Sequence, residues 1–437
     1  MTEGASIQTL LASAMRQHID GDLAGAEILY RDILASTPDQ AQARHYLGFL
    51  LQQTDRLPEA FAQLTQALAL DDTHAEWHFN LGIVLSRQAQ PAAAIEAFTN
   101  AIALDPYQYF YWTNLGTAFE ADHDDVRAEQ CYTGATRINP DCPDAWYLLS
   151  ALCLKRQRYD EARQFNYRGV VAAPEQSKSR ILLSQAYHAL GRTDDALAVF
   201  ENWLQADPGN AEALHLLAAY KAEAAPEQCS SAYVESTFNG FARSFDIILG
   251  RLKYCGPQLV QDYLASLALP AGQLAALDLG CGTGLIGEVI QPYTHKLIGI
   301  DLSQAMLEQA TARACYSRLH KADIASYLQD CHEQFDLISC MDTFIYIGRL
   351  DKLLTLIYRQ LKPGGRLLFS TEKSPAAAEQ AWQLNTSGRY SHRHDDLLAL
   401  LTQTGFTIEH VAEVQIRNES GYPITGEFIS TQRPANA

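Results

Sequence analysis

The sequence predicts a multidomain chain: an all-α repeat array followed by an α/β domain whose mostly parallel sheet ends in an antiparallel strand pair. Three observations carry this. Residue types recur every thirty-four positions from Ile7 to Asn210. From Leu274 onward, short apolar runs alternate with helical stretches, and the first run closes on a glycine turn. The last two apolar runs are joined by a short polar turn instead of a helix. At 437 residues and 47% apolar content, the chain can build two or three packed domains.

Laid out in rows of thirty-four, residues 7–210 fill six rows without an insertion. One column holds Ala26, Ala60, Ala94, Ala128, Ala162 and Ala196, and four positions later come Tyr30, Leu64, Phe98, Tyr132, Asn166 and Phe200. Eight further on sit Pro38, Asp72, Pro106, Pro140, Pro174 and Pro208. Leu47-Gly48, Leu81-Gly82 and Leu115-Gly116 recur in the opening half of their rows. Small columns let two helices approach, the bulky column fills the gap to the next pair, and proline stops the second helix. The pattern resembles the tetratricopeptide repeat. Residues 211–224 continue the register for one more helix and then stop, as a capping helix should, so the solenoid is expected over 7–224.

The resemblance implies a concave groove that holds a peptide or an extended protein segment. Asn80 and Asn114 share a column that other rows fill with Tyr46, Leu148 and Leu182, so an asparagine ladder is incomplete and local hydrogen bonding is an equal reading. The cluster Tyr107, Tyr109, Phe110, Tyr111 and Trp112 mixes core positions with a candidate contact surface.

The stretch A-P-E-Q-C-S-S from Ala225 breaks the helical register, which places a linker at 225–232 and a second domain at 233–437. Lead-in helices are expected over 233–269, where Phe238, Phe241 and Phe245 form a stripe that reads as core. Strands are expected at Ala275–Leu279, Lys296–Asp301, Arg318–Ala322, Phe335–Met341 and Gly365–Thr371, and then at Phe406–Ile416 and Tyr422–Thr431 around a turn at Asn418 and Gly421.

Ligands on such sheets gather at the carboxyl ends of the strands, so the residues there matter most. The first strand leads through Asp278 into Gly280, Gly282 and Gly284, a tight turn that brings backbone close to a ligand, with a helix start behind it that can face an anionic group. The second ends in Asp301, placed to accept hydrogen bonds from both hydroxyls of a ribose. The third ends in Asp323, placed to accept from an adenine amino group, with Ile324 as a flat apolar neighbour. Met341 and Asp342 follow the fourth, and L-K-P-G-G leads into the fifth.

Taken in order, these features resemble the class I S-adenosylmethionine-dependent methyltransferases, whose domain is Rossmann-like, over 233–437. The lead-in order F-x-x-x-A-x-x-F-D at Phe238–Asp246 and L-K-Y at Leu252–Tyr254 resemble the same enzymes. The resemblance implies that Asp278, Gly280, Cys281, Gly282 and Gly284 hold the methionine end of S-adenosyl-L-methionine. It assigns the ribose to Asp301 and Leu302, the adenine to Asp323 and Ile324, and the sulfonium region to Met341, with Met306 and Tyr254 completing the set. A nicotinamide enzyme is disfavoured because the glycines read G-x-G-x-G and not G-x-G-x-x-G.

Methyl transfer needs alignment, exclusion of water and, for a protonated acceptor, a base. Asp342, Tyr390 and His392 are the catalytic candidates; Arg389, Tyr346 and Glu372 are the substrate candidates. The segment Ser387–His392 resembles one found in methyltransferases that carry tetratricopeptide repeats, and a helix cap is the equal alternative for His392. No metal is implied.

The expected function is methylation of a peptide, protein or carrier-bound substrate recruited by the repeats. The alternatives are a small-molecule methyltransferase that uses the repeats for docking or as a homodimer contact, and a scaffold whose cofactor domain does no catalysis. A net charge of −18 argues against nucleic acid as partner. No leader and no membrane span is read, and nine scattered cysteines without a C-x-x-C pair suit reduced thiols, so a cytoplasmic location is expected.

Overall fold

The computed structural model describes residues 3–221, 225–419 and 422–435. Gly421 and residues 222–224, expected in the last turn and at the end of the capping helix, lie outside these. By compactness the chain divides into two units, Met1–Arg192 and Thr193–Ala437.

The first unit is a run of antiparallel helix pairs: α1 (Glu3–Ile19) with α2 (Leu23–Ser36), α3 (Ala41–Gln53) with α4 (Leu57–Leu70), α5 (Ala75–Arg87) with α6 (Pro91–Leu104), α7 (Tyr109–Ala121) with α8 (Asp125–Ile138), α9 (Pro143–Lys155) with α10 (Tyr159–Ala172), then α11 (Arg180–Ala189). The sequence columns explain the packing. Ala26, Ala60, Ala94, Ala128 and Ala162 are all buried, as are Tyr30, Leu64, Phe98 and Tyr132. A β-carbon on Gly82 would lie 2.4 Å from the Phe98 ring, and one on Gly116 equally close to Tyr132. Only glycine lets those helices meet over a large ring.

Two expectations about polar and aromatic residues are resolved here. Asn80 is buried, with its Nδ2 3.0 Å from His45 Nε2, and Asn114 donates to the Phe110 carbonyl at 2.7 Å. Both amides are therefore engaged inside the unit, the local alternative of the two weighed. Within the aromatic cluster Tyr111 is buried, whereas Tyr107 is 79% exposed. Trp112 donates from its indole to the Pro106 carbonyl at 2.9 Å, and Trp146 repeats the bond one row later to Pro140 at 2.7 Å.

The second unit opens with α12 (Thr193–Ala206) and α13 (Ala211–Lys221), continues through α14 (Ser231–Phe241), α15 (Phe245–Arg251) and α16 (Gly256–Ser266), and then alternates. The strands are β1 (Leu274–Leu279), β2 (Thr294–Asp301), β3 (Arg318–Lys321), β4 (Phe335–Cys340), β5 (Leu361–Lys373), β6 (Trp382–Leu384), β7 (Tyr390–His392), β8 (Thr407–Glu419) and β9 (Tyr422–Gln432). Between them lie α17 (Leu285–Ile290), α18 (Gln304–Arg313), α19 (Ile324–Asp330), α20 (Asp351–Gln360) and α21 (His394–Thr404).

The sheet runs β3-β2-β1-β4-β5-β7-β6, with β9 antiparallel to β5 and β8 antiparallel to β9. Pairing is parallel from β3 through β5 and again at β5–β7. The five parallel strands and the terminal antiparallel pair follow the sequence reading. The short strands β6 and β7 do not, because three residues each give too little alternation to see. Asn418, expected in a turn, pairs with Pro423 inside the β8–β9 ladder. Leu277, Ile298, Ile338, Leu367 and Phe369 are buried in the central strands, as a sheet covered by helices on both faces requires.

Candidate active site

Strand order reverses between β1 and β4, and the crevice at that switch point is where an open α/β sheet takes a ligand. A cavity of about 660 Å³ lies there, within the roughly 300–1,000 Å³ of drug-sized sites. Gly280, Cys281 and Gly282 line it, with Asp301, Leu302, Met306, Asp323, Ile324, Met341 and Tyr254. Gly280 and Gly282 have φ of 70° and 53°, and a β-carbon on Gly280 would lie 2.3 Å from Thr343 Oγ1. Both positions therefore demand glycine.

The turn's amides are largely spent inside the protein. Gly280 and Cys281 both donate to the Ile300 carbonyl, at 2.8 and 2.9 Å, and Gly282 donates to Asp301 Oδ2 at 2.9 Å. Asp301 Oδ1 accepts from Ser303 N at 2.8 Å. Burial holds the Asp301 carboxyl above its usual range, against these backbone donors, so further hydroxyl donors would be welcome. Asp323 Oδ1 caps α19 by accepting from Ser326 N at 2.9 Å.

Two of the expected cofactor residues sit elsewhere. Asp278 is 1% exposed beneath the turn, accepting from Ser339 Oγ at 2.6 Å and Tyr316 OH at 2.7 Å, and does not line the cavity. Burial pushes its carboxyl up to about 6. Gly284 is the N-cap of α17, at φ 93°, and is likewise off the cavity wall.

The lead-in helices cover the cavity. Phe238, Phe241 and Phe245, read as core from their spacing, line it, with Phe238 edge-on to Tyr346 at 5.4 Å. Polar ties hold this cover. Asp246 accepts from Thr283 Oγ1 at 2.6 Å and pairs with Arg313, and Asn239 Oδ1 accepts from Ser303 Oγ at 2.7 Å.

Of the catalytic and substrate candidates, Asp342, Tyr346 and Arg389 line the cavity, whereas Glu372, Tyr390 and His392 do not. Tyr390 is fully buried and donates to the Pro226 carbonyl at 2.6 Å. His392 is also buried, on β7, with Nε2 3.1 Å from the Gly348 carbonyl. Burial brings its imidazole down to about 4. The cap of α21 is Arg393, so neither reading of His392 matches its place. Both residues come from a hairpin that supports the pocket from behind, and a polar residue type near a strand end cannot tell support from lining.

A residue the sequence reading missed organises this end. Arg417 on β8 is 1% exposed; its Nη1 donates to Asp342 at 2.7 Å, its Nε to Glu419 at 2.8 Å, and its Nη2 bonds Glu372. Glu419 also pairs with Arg389. Burial opposes the charge of both guanidiniums, but their acidic neighbours outweigh it and hold both above the usual arginine range. Glu372 stays above the ordinary carboxyl range because burial exceeds the pull of its two arginine neighbours. Arg417 falls out of phase with the alternation of Val414 and Ile416, and an irregularity in the β8–β9 register between Gln415 and Arg417 accompanies its burial, so no sequence pattern marked it.

The turn bearing Arg389 is held from outside the sheet. His215 of α13 lies 2.9 Å from the Gly388 carbonyl through Nε2, with Cys229 Sγ 3.3 Å away. Gly388, at φ 79°, is pressed by Tyr233 and Leu216, either of which a β-carbon would meet at about 3 Å.

Fold and site together define a class I methyltransferase domain: a parallel sheet closed by an antiparallel pair, with a glycine turn, Asp301 and Asp323 on one cavity. Comparison with known proteins agrees. Residues 276–365 match the family described as "Methyltransferase domain", and residues 47–109, 113–177 and 177–220 match tetratricopeptide repeat families. The chain is a tetratricopeptide-repeat protein with a methyltransferase domain.

A malonyl-[acyl-carrier protein] O-methyltransferase of Priestia megaterium is 30% identical over 142 residues, covering 32% of this chain and 50% of that protein. A ubiquinone biosynthesis O-methyltransferase of Pseudomonas fluorescens is 26% identical over 151 residues, covering 31% of this chain and 65% of that one. The chain thus spans about half to two thirds of the length of these curated relatives. Among solved structures, magnesium protoporphyrin IX methyltransferase from Synechocystis PCC 6803 aligns with a TM-score of 0.37 at 18% identity, covering 46% of this chain and 99% of that one.

Proposed function

We propose that this chain transfers a methyl group from S-adenosyl-L-methionine to an acceptor held at the Arg389 end of the cavity. One observation carries the reading: Asp301, Asp323, Met341 and the Gly280–Gly282 turn, from successive strand ends, converge on one cavity. The residues suit this donor. Asp301 would take the ribose hydroxyls, Asp323 the adenine amino group, and Gly280 and Gly282 leave room where a side chain would intrude. The donor supplies a methyl carbon already activated by a positive sulfur. The chain's own part is to align the acceptor and exclude water, which the roof of Phe238, Phe241 and Phe245 supports.

We infer further that the repeats recruit a peptide, protein or carrier that presents the acceptor. What supports this is a repeat array far larger than a small, freely diffusing substrate needs. A second reading, a free small acceptor with the repeats used for docking or dimerisation, is favoured by the apolar roof, which suits a compact molecule.

No helix among the described residues is long and apolar enough to cross a membrane. Calorimetry with S-adenosylhomocysteine tests the donor assignment. The wild-type chain should bind, and Asp301→Ala should weaken binding by at least about a hundredfold, two hydrogen bonds to a charged group being worth about 1.5–3 kcal/mol net each. Unchanged affinity would remove Asp301 from the site.

A further inference from the structure

Resting on that reading, we propose that the acceptor is a carboxylate, bound by Arg389 and converted to a methyl ester.

The first ground is what the cavity wall already does with its charged groups. Among the described residues lining it there is no histidine. Asp342 is bonded to Arg417, Glu227 and Asp351 are bonded to Arg349, and Asp301 and Asp323 accept backbone amides. A carboxylate oxygen that already accepts from a guanidinium has that lone pair engaged. Of the other groups there, burial raises the Cys229 thiol to about 12 and also raises the Cys281 thiol and the phenols of Tyr254 and Tyr346, and Lys352 adds an amine to the wall. Alcohol, amide and ammonium acceptors must each give up a proton to a base. A carboxylate is already ionised at neutral pH and needs none.

The second ground is the guanidinium itself. Arg417 is consumed by three acids. Arg389 also lines the cavity, and the nitrogen by which it meets acids, Nη1, bonds Glu419 and lies 3.9 Å from Glu372, with Tyr346 beside the group. A guanidinium has five donors in a planar fork that fits a carboxylate. The third ground is the apolar wall of Phe238, Ile248, Leu252 and Phe241. In the step, an acceptor carboxylate oxygen forms a bond to the methyl carbon as the carbon–sulfur bond breaks, its electron pair going to sulfur. An anion and a cation become a neutral ester and a neutral thioether, and no proton moves. A reaction that cancels charge is helped by an apolar, water-poor site. The rival is a cationic acceptor, since the cluster of Asp342, Glu372 and Glu419 against two arginines leaves one surplus carboxylate.

The full chain saturated with S-adenosylhomocysteine would be titrated with benzoate, octanoate, benzyl alcohol and benzylamine. The acids should bind, the alcohol and amine should bind at least tenfold more weakly, and Arg389→Met should cost the acids ten- to a hundredfold, with partial recovery in Arg389→Lys. Tritium transferred from labelled donor to cell-extract acceptors should be released as methanol by mild base. Preference for benzylamine, acid affinity indifferent to Arg389→Met, or base-stable label would each overturn the carboxylate assignment while leaving the donor assignment standing. Loss of S-adenosylhomocysteine binding in the wild-type chain would overturn both.

Discussion

Arg417 is a stringent test of the site's electrostatics. Its guanidinium is 1% exposed and holds Asp342, Glu372 and Glu419, whose side chains are 20%, 11% and 26% exposed. Replacing it by methionine keeps most of the volume but takes the cation from Asp342 and leaves Glu372 and Glu419 to share Arg389. Removing one partner of a buried ion pair costs about 3–5 kcal/mol, because the charge left behind stays out of water. At about 1.4 kcal/mol per decade, amide exchange in β4 and β5 should accelerate at least about a hundredfold at pH 7.5.

The pH dependence gives the sign. With the cation gone, burial holds the Glu372 carboxyl still further above its ordinary range, so its penalty is full at neutral pH and fades as pH falls through the raised folded value. In the wild type the arginines outweigh burial and hold Glu419 below its ordinary range, so its contribution is also lost on acidification. Both effects narrow the gap between variant and wild type at low pH. Hydrogen exchange followed by mass spectrometry reads β4 and β5 separately from the repeats. A loss below about 1 kcal/mol, the value of an exposed pair, or one equal at pH 7.5 and pH 5, would refute the reasoning.

Two further outcomes are expected. His392 has a folded pKa of about 4 against 6.5 free, so it contributes stability above 6.5 that is lost as pH falls through that window. His392→Asn should reduce that slope in thermal scans from pH 7 to 4 without abolishing it, because burial also lowers His45 and His215, and an unchanged slope would show that the His392 imidazole is not among the titrating groups. Gly82→Ala gains about 1 kcal/mol of helix propensity but overpacks against the buried Phe98 at a cost of about 1–3 kcal/mol. Denaturant unfolding should show a net loss that Gly82→Ala with Phe98→Leu partly relieves, and a stabilised single variant would contradict the packing.

What could be read from the chain, and what could not, follows from the length scale of each signal. The alanine column recurs at a fixed period, so each row corroborates the next. The acids at Asp301 and Asp323 sit where parallel strands stop, a place that topology alone makes meaningful. Tyr390, His392 and Arg417 obey no such rule. Their surroundings are set by partners far along the chain, Pro226 for Tyr390, Gly348 for His392 and Asp342 for Arg417, and the same polar side chain serves as strut or wall according to a rotation of the backbone. Asp278 shows the limit from the other side: two residues before Gly280, its side chain drops below the sheet end to Ser339 and Tyr316.

The bond from His215 to the Gly388 carbonyl has a bearing on modularity. By its period α13 closes the helical array, yet by contact it is scaffolding for the loop next to Arg389. The helix before it, α12, packs on α13 and belongs to the same unit, so this scaffolding begins at Thr193. A transplant of residues 225–437, starting at the break that holds Pro226, would leave that loop without His215.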